Sequence, residues 1–203
     1  MADLPIDLGP RLAERLARVL DVEAKIPRAL DALGRIGGRD VLLVDGADGI
    51  RARQLAELGA RVSFADADGL ARIDAPDGSA DVLASLWSPF RGSTASETAE
   101  ATRVLRPGGR LLVLLDYGRD EVSHLRGDLP EYGLLSRRDG PLLRNGFRVR
   151  VLHCFWTFSS IEEAHGFLGE SFVRIGREVA ARMKRPRLSY NVAVYHRTFG
   201  APA

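Results

Sequence analysis

The sequence predicts an α/β fold with a doubly wound, mostly parallel sheet, and three kinds of pattern lead to that prediction. Short, nearly continuous apolar runs, which suit strands covered on both faces, occur in DVLLVDG, RVSFAD, ADVLASLW and GRLLVLLDY. Amphipathic stretches of helical period lie between these runs, and glycines close several segments. This alternation indicates parallel crossover units, because parallel neighbours need a long connection.

The first third of the chain predicts two helices and then a strand-helix-strand unit. Residues 10–20 place apolar side chains on one stripe, and a second helical stretch ends near Gly34. A strand is expected at residues 41–45. It is followed by a helix that stops at Gly59 and by a second strand at residues 61–66.

The remainder continues the same pattern. ADVLASLW and GRLLVLLDY supply two more strands, and the Pro-Gly-Gly segment at 107–109 is expected to form the turn before the second of them. The last third predicts a strand in FRVRVLHCFWTF, a helix from Ser160 to about Lys184 and a strand in LSYNVAVYHRTF. Ser160 and Glu163 fit a capping box at the start of that helix.

The composition is that of one ordinary domain over residues 1–203, with 45% hydrophobic and 28% charged residues. No apolar run approaches the roughly 20 residues that a membrane span needs. Charges stand in MADLPIDLGPRLAERL where a signal peptide would be apolar, so no membrane partner is predicted and the cytoplasm is the expected location. Cys154, the only cysteine, is expected to be a small buried hydrophobe.

The charge pattern does not favour nucleic acid as a partner. The formal net charge is +2, and nearly all basic residues are arginines dispersed along the chain. An RNA-facing surface at the most basic stretch, residues 174–187, is a third possibility. A solvated helix face is favoured over it, because Glu170 and Glu178 interrupt the positive charge. The four histidines show no metal-ligand spacing, so no metal site is predicted.

Four segments in order, VLLVDGADG, RVSFAD, PDGSADVLAS and RVLRPGGRLLVLL, resemble the ordered motifs of class I S-adenosylmethionine-dependent methyltransferases. The match spans residues 41–115 and continues at residues 145–147. The resemblance implies a Rossmann-like sheet of order 3-2-1-4-5-7-6 with an antiparallel last strand. It also implies N-terminal helices in 1–38, a cofactor-binding half in 39–115 and a substrate-side half in 116–203.

The resemblance places S-adenosylmethionine across the carboxyl ends of the first two strands, where open α/β sheets bind ligands. The loop after the first strand, with Gly46, Ala47 and Gly49, would lie against the cofactor at the amino end of a helix. Asp66 would accept both ribose hydroxyls, since a carboxylate is a double acceptor, and Ala67 follows it.

The first motif departs from the family pattern, because Leu43, Asp45, Ala47 and Gly49 stand at the positions of an acid and three glycines. Only the last glycine remains, although glycine lets the backbone approach a ligand closely. Side chains two apart on a strand share a face, so we expect Asp45 to present the carboxylate that Leu43 lacks. Its target would be the ammonium group of the methionine moiety.

A second departure is a shortened connection. Only residues 67–80 separate Asp66 from Asp81. That interval is long enough for one crossover connection between parallel strands. It is too short for two crossover connections with a strand between them. The predicted order in the family's numbering is therefore 2-1-4-5-7-6, with the third strand missing. An exposed second strand invites pairing with another chain, which makes a homodimer an alternative.

Trp87, Asp116 and Tyr117 fall at strand ends that face the expected cleft, and they are the candidates for contacting a small-molecule acceptor. Two functions stay open. One is an S-adenosylmethionine-dependent methyltransferase, and the other is a catalytically degenerate protein of the same fold that acts as a binding or dimerising module. A nicotinamide-dependent oxidoreductase is disfavoured, because DGADGI lacks the G-x-G-x-x-G spacing.

Overall fold

The computed structural model describes residues 4–46, 49–67 and 72–200. Within these ranges six strands form one sheet, and their bounds are β1 (Asp40–Val44), β2 (Arg61–Ala65), β3 (Ala80–Leu86), β4 (Leu105–Asp116), β5 (Arg148–Thr157) and β6 (Arg187–Thr198). The spatial order is β2-β1-β3-β4-β6-β5. The first four strands are mutually parallel, and β6 runs antiparallel to both β4 and β5.

The observed order confirms the predicted one. The predicted strands 4, 5, 6 and 7 correspond to β3, β4, β5 and β6, so 2-1-4-5-7-6 becomes β2-β1-β3-β4-β6-β5. Across the described ranges, no strand pairs with the outer edge of β2. The return from β2 to β3 contains a short antiparallel bridge between Ala67 and Ile73, and Ile73 is fully buried there.

Helices cover both faces of the sheet, as a doubly wound fold requires. Those described are α1 (Pro10–Val19), α2 (Lys25–Gly34), α3 (Ile50–Glu57), α4 (Ala95–Val104), α5 (Glu121–Leu125), α6 (Glu131–Leu135), α7 (Pro141–Arg144), α8 (Ile161–Ser171) and α9 (Val173–Ala180). One core contains buried side chains of α1, α2, α3 and α8. The other contains those of α4, α6 and α7. No helix in the described part of the chain is long and apolar enough to cross a membrane.

The Pro-Gly-Gly segment at 107–109 is not a turn before a strand, as the sequence predicts, but an irregularity inside β4. Leu105 already pairs with Ala80, and regular pairing resumes at Arg110 opposite Val82. Gly108 has a φ of +80°, which a residue with a Cβ rarely adopts. The segment therefore bulges out of the ladder while the strand continues through it.

The single helix expected from Ser160 to Lys184 is also wrong, because the structure divides it at Phe172. Phe172 has a backbone outside the helical region, with φ −126° and ψ 13°, and its ring stacks on Trp156 with the centroids 6.3 Å apart. Gly176 then lies so close to α8 that an added Cβ would be 2.0 Å from the Leu168 carbonyl oxygen. The break lets the second half fold back on the first, and it leaves the apolar side chains of Ile175, Val179 and Met183 partly buried against the core.

Cys154 is buried as predicted, at 1% exposure. Burial, and then the neighbouring Asp21 carboxylate, raise the pKa of its thiol to about 12. Because the thiolate is the reactive form, we expect Cys154 to resist iodoacetamide near pH 8 in the folded protein and to react readily in guanidinium chloride. Mass spectrometry of intact protein measures the difference, and equal rates in the two conditions would contradict this placement.

Candidate functional site

The candidate site lies at the carboxyl ends of β1 and β3, where the strand order reverses direction. The chain passes from β1 outward to β2, whereas from β3 it passes the other way to β4. Connections that leave in opposite directions open a crevice at the strand ends, and open α/β sheets bind ligands there.

Asp45 joins three strand ends at this crevice. Its Oδ1 accepts the backbone N–H of Ala67, after β2, at 2.9 Å, and its Oδ2 accepts the hydroxyl of Ser88, after β3, at 2.5 Å. The strand itself ends at Val44, and Asp45 has a left-handed φ of +57°. The strand alternation assumed for this position therefore does not extend to Asp45. Two acceptor sites of its carboxylate are occupied by the protein.

Trp87, at the end of β3, also has a left-handed φ, of +53°. Such a backbone is a true outlier for a bulky residue and persists only where surrounding contacts enforce it. Its indole Nε1 donates to Asp116 at 2.9 Å, and the guanidinium of Arg51 lies 5.8 Å from its ring centroid. Arg51 comes from the first turn of α3, is 1% exposed and donates to Gln54 at 2.6 Å.

Asp66 leaves the end of β2 with an exposed side chain. Within the described residues its carboxylate accepts no hydrogen bond. The chain after β1 comes close to it at Asp45, which accepts the N–H of Ala67, and Gly49 is the residue before the first turn of α3. Gly46 and Gly49 are described, whereas Ala47 lies outside the described residues.

Asp116 is a buried acceptor for four side chains. Trp87, Tyr190 and Arg126 donate to it, and the hydroxyl of Tyr132 lies 3.5 Å away. Burial, and then the Asp116 charge, raise the pKa of Tyr190 and of Tyr132, so both phenols stay protonated. For Arg126, burial alone would lower the pKa of the guanidinium, but the charge of Asp116 raises it.

A cavity of about 150 Å³ opens over this cluster. Its walls are Pro5, Trp87, Arg91, Leu115, Asp116, Arg126, Glu131, Tyr132 and Leu135. The structure thus brings together two of the three predicted substrate-side residues, Trp87 and Asp116. Tyr117 lies outside the cavity and packs against the core that contains side chains of α4, α6 and α7. The guanidinium of Arg119 lies 5.9 Å from the centroid of its ring.

Sequence reasoning missed Ser88, Arg51, Arg126 and Tyr190. Ser88 lies in the segment after β3, and its hydroxyl accepts the N–H of Phe90 at 3.1 Å. Tyr190 occupies a strand position that reads as ordinary core, and Arg126 lies between helices that the sequence does not predict. No local pattern links any of them to Asp116 or Asp45. Among the residues described, no group of three or more His, Cys, Asp or Glu could hold a metal ion.

Comparison with known proteins gives the class of fold. No family model matches the sequence, and no curated protein matches it. Solved structures do match. One, assigned as a methyltransferase from an antibiotic biosynthesis pathway of Anabaena variabilis, is 15% identical with a TM-score of 0.54 over 88% of this chain and 98% of its own.

Two further solved structures agree. A protein assigned as a type II methyltransferase from Anaeromyxobacter dehalogenans is 18% identical, with a TM-score of 0.53 over 87% of this chain and 97% of its own. A SAM-dependent methyltransferase from Aquifex aeolicus is 17% identical, with a TM-score of 0.50 over 94% and 98%. The protein therefore has the Rossmann-like fold of the class I methyltransferases.

Proposed function

We propose that this protein binds S-adenosylmethionine at the carboxyl ends of β1 and β2 and transfers the methyl group to a small-molecule acceptor. One observation carries the proposal: Asp66 presents an exposed carboxylate, with no described hydrogen-bond donor, at the end of β2, where the N–H of the next residue, Ala67, donates to Asp45 after β1. A double acceptor at this point suits a pair of ribose hydroxyls. The expected place of the activity is the cytoplasm.

The residues around Asp66 fit the other parts of the cofactor. Gly46 and Gly49 are the described residues of the segment against which the methionine moiety would lie, and Ala47, also proposed to lie there, is outside the described residues. The first N–H groups of α3 have no acceptors within the helix. Asp45 keeps acceptor capacity for the ammonium group, because a carboxylate accepts about four hydrogen bonds and two are described. Ala67 adjoins the ribose position.

The cofactor would supply an electrophilic methyl group on a sulfonium. The chain's own task is then alignment and exclusion of water, which carry much of the rate of an in-line displacement. Trp87 and Asp116 fix one wall of the acceptor cavity, and Arg91 and Glu131 offer charges of both signs at its sides. We propose that the acceptor binds there, with Tyr117 outside its immediate contacts.

A second candidate function is a binding or dimerising module that no longer transfers methyl groups. The bond from Ser88 to Asp45 favours it, because that bond ties the two sides of the crevice together. The edge strand supports the dimerising form, since the Phe64 side chain of β2 is 44% exposed and no strand of the described ranges pairs with the outer edge of β2.

Titration calorimetry with S-adenosylhomocysteine tests the first candidate. We expect saturable binding, weakened about tenfold to a hundredfold in Asp66→Asn, the scale of one charge-assisted bond. Asp139→Asn, on another exposed carboxylate, is the control and should bind like the wild type. Absence of heat and of any shift in melting temperature at millimolar ligand would contradict the proposal. Light scattering would then show whether the protein is a dimer.

A further inference from the structure

A second cavity lies at the amino ends of β1, β3 and β4, which is the end of the sheet opposite the proposed cofactor site. It has a volume of about 160 Å³, and its walls are Gly34, Arg35, Arg39, Asp81, Val82, Pro107, Gly108, Gly109 and Arg110. Three of these residues are arginines and one is an acid. The end of α2 forms one side, and the bulge of β4 forms the other. Asp66 stands at the far end of the strands, so this cavity is separate from the proposed cofactor site.

The arginines carry more charge than the cavity neutralises. In the described part of the chain, no carboxylate lies within ion-pair distance of Arg35 or Arg110, and Arg39 reaches Asp81 only at 3.8 Å. Asp81 already accepts Arg106 at 3.1 Å and the N–H of Asp40 at 3.0 Å. Burial alone would raise the pKa of Asp81, but these two donors lower it, so Asp81 counts as one negative charge.

Arg110 is held in place before any ligand arrives. Its guanidinium donates to the carbonyl of Leu33, in the last turn of α2. That helix end contributes about half a negative charge, which offsets only part of the three guanidinium charges. A guanidinium has five N–H donors, so most of those of Arg110 remain for a ligand. Arginine donors in a fixed fork match the oxygens of a phosphate group.

The positive potential continues along the same face of the sheet. His196 pairs with Leu112, two residues beyond Arg110 on β4, and Arg148 pairs with His196 from the other side. Residues two apart on a strand share a face, so all three side chains lie on the α2 side. Burial, and then Arg110 and Arg148, lower the pKa of the His196 imidazole. The pKa of His196 therefore depends on the net charge around Arg110 and Arg148.

We propose that this cavity, formed by Arg35, Arg39 and Arg110, is a binding site for the phosphate group of a small ligand. The group is either free phosphate or the terminal phosphate of a phosphorylated metabolite. The half-enclosed shape favours one such group over the backbone of a nucleic acid, which needs a row of cationic side chains along an open surface.

The test is an NMR titration of the full chain with inorganic phosphate at constant ionic strength, which removes general screening. We expect saturable shifts of the Arg35 and Arg110 Nε–H signals and a rise in the pKa of His196, because the bound anion offsets the guanidinium charges. Adenosine monophosphate in a parallel titration distinguishes the two sources, since tighter binding than phosphate at the Arg35 and Arg110 signals indicates a phosphorylated metabolite. Reading the affinity from these signals separates the cavity from the proposed cofactor site, which also takes an adenosine group. Arg35→Gln is expected to weaken binding about tenfold.

The Arg35 side chain is exposed and makes no hydrogen bond or ion pair with the described residues, so Arg35→Gln should fold even if Arg110→Gln does not. Arg137→Gln, on an exposed arginine far along the chain, is the matched control. The proposal is overturned if phosphate moves the signals no more than chloride does, if Arg35→Gln binds phosphate as the wild type does, or if a 20-nucleotide single strand binds while phosphate and adenosine monophosphate do not. None of these outcomes decides whether S-adenosylhomocysteine binds, because the proposed cofactor site lies at the other end of the strands.

Discussion

Replacing Asp116 by alanine is expected to lower the free energy of unfolding by about 3–5 kcal/mol. Its carboxylate accepts from Arg126, Tyr190 and Trp87, and the side chains of Arg126 and Asp116 are only 18% and 8% exposed. The variant leaves a guanidinium charge in a poorly solvated place, together with a phenol and an indole that lose their acceptor. Urea denaturation followed by circular dichroism measures the loss.

Arg137 and Asp139 provide the matched control, because they form the same kind of ion pair with side chains 62% and 72% exposed. Asp139→Ala should change the free energy of unfolding by less than about 1 kcal/mol. Adding Arg126→Met to Asp116→Ala should recover part of the loss, since the charge is then no longer buried alone. If Asp116→Ala lowers the free energy of unfolding by less than about 1 kcal/mol, the Arg126–Asp116 pair is solvated. That result would contradict the burial seen in the structure.

Asp45→Asn is expected to weaken the binding of S-adenosylmethionine by about 1–3 kcal/mol while leaving the fold intact. This expectation depends on the proposed function. An asparagine keeps the local bonds, because its oxygen still accepts from Ala67 and its amide group donates to the Ser88 hydroxyl. What it removes is the charge that would meet the ammonium group. Calorimetry on both proteins, with thermal melting as the folding control, measures the change.

Ser88→Ala separates the two roles that Asp45 can have. This change breaks the bond across the crevice but keeps the carboxylate, so affinity should be maintained or increased if Asp45 binds the ammonium group. If Asp45→Asn leaves the affinity of a folded protein unchanged, the residue only ties the strand ends together. Asp45→Ala is less informative, because it also leaves the Ala67 N–H and the Ser88 hydroxyl without their acceptor.

The strand order is the part of the fold that the sequence predicts best. Apolar runs of β1, β3 and β4 are recognisable because they are covered on both faces, and crossover geometry leaves few ways to connect them. The short interval from Asp66 to Asp81 predicts by its length alone that no further strand lies beyond β2, and none does in the described ranges. In contrast, the sequence carries no local signal for the break between α8 and α9. The apolar residues Phe172, Ile175, Val179 and Met183 recur at helical spacing across it.

The candidate site is less predictable than the fold. Asp45, Asp66 and Trp87 follow strands and Asp116 ends one, so position along the chain is enough to nominate them. Their partners come from distant segments, such as Tyr190 from β6 and Arg126 from beyond α5. A pairwise contact of this kind depends on which strands become neighbours, and no periodicity in the sequence records it.

The sequence by itself determines the alternation of strands and helices, the strand order and the edge position of β2, because covalent reach and two-sided burial restrict these features locally. Only the tertiary structure decides that Asp45 spans three strand ends, that Trp87 is held with a left-handed backbone, and that Asp116 has its charge balanced by Arg126. The physical reason is range. Burial patterns repeat within a few residues, whereas hydrogen bonds and ion pairs between strand ends form only after the sheet has brought them together.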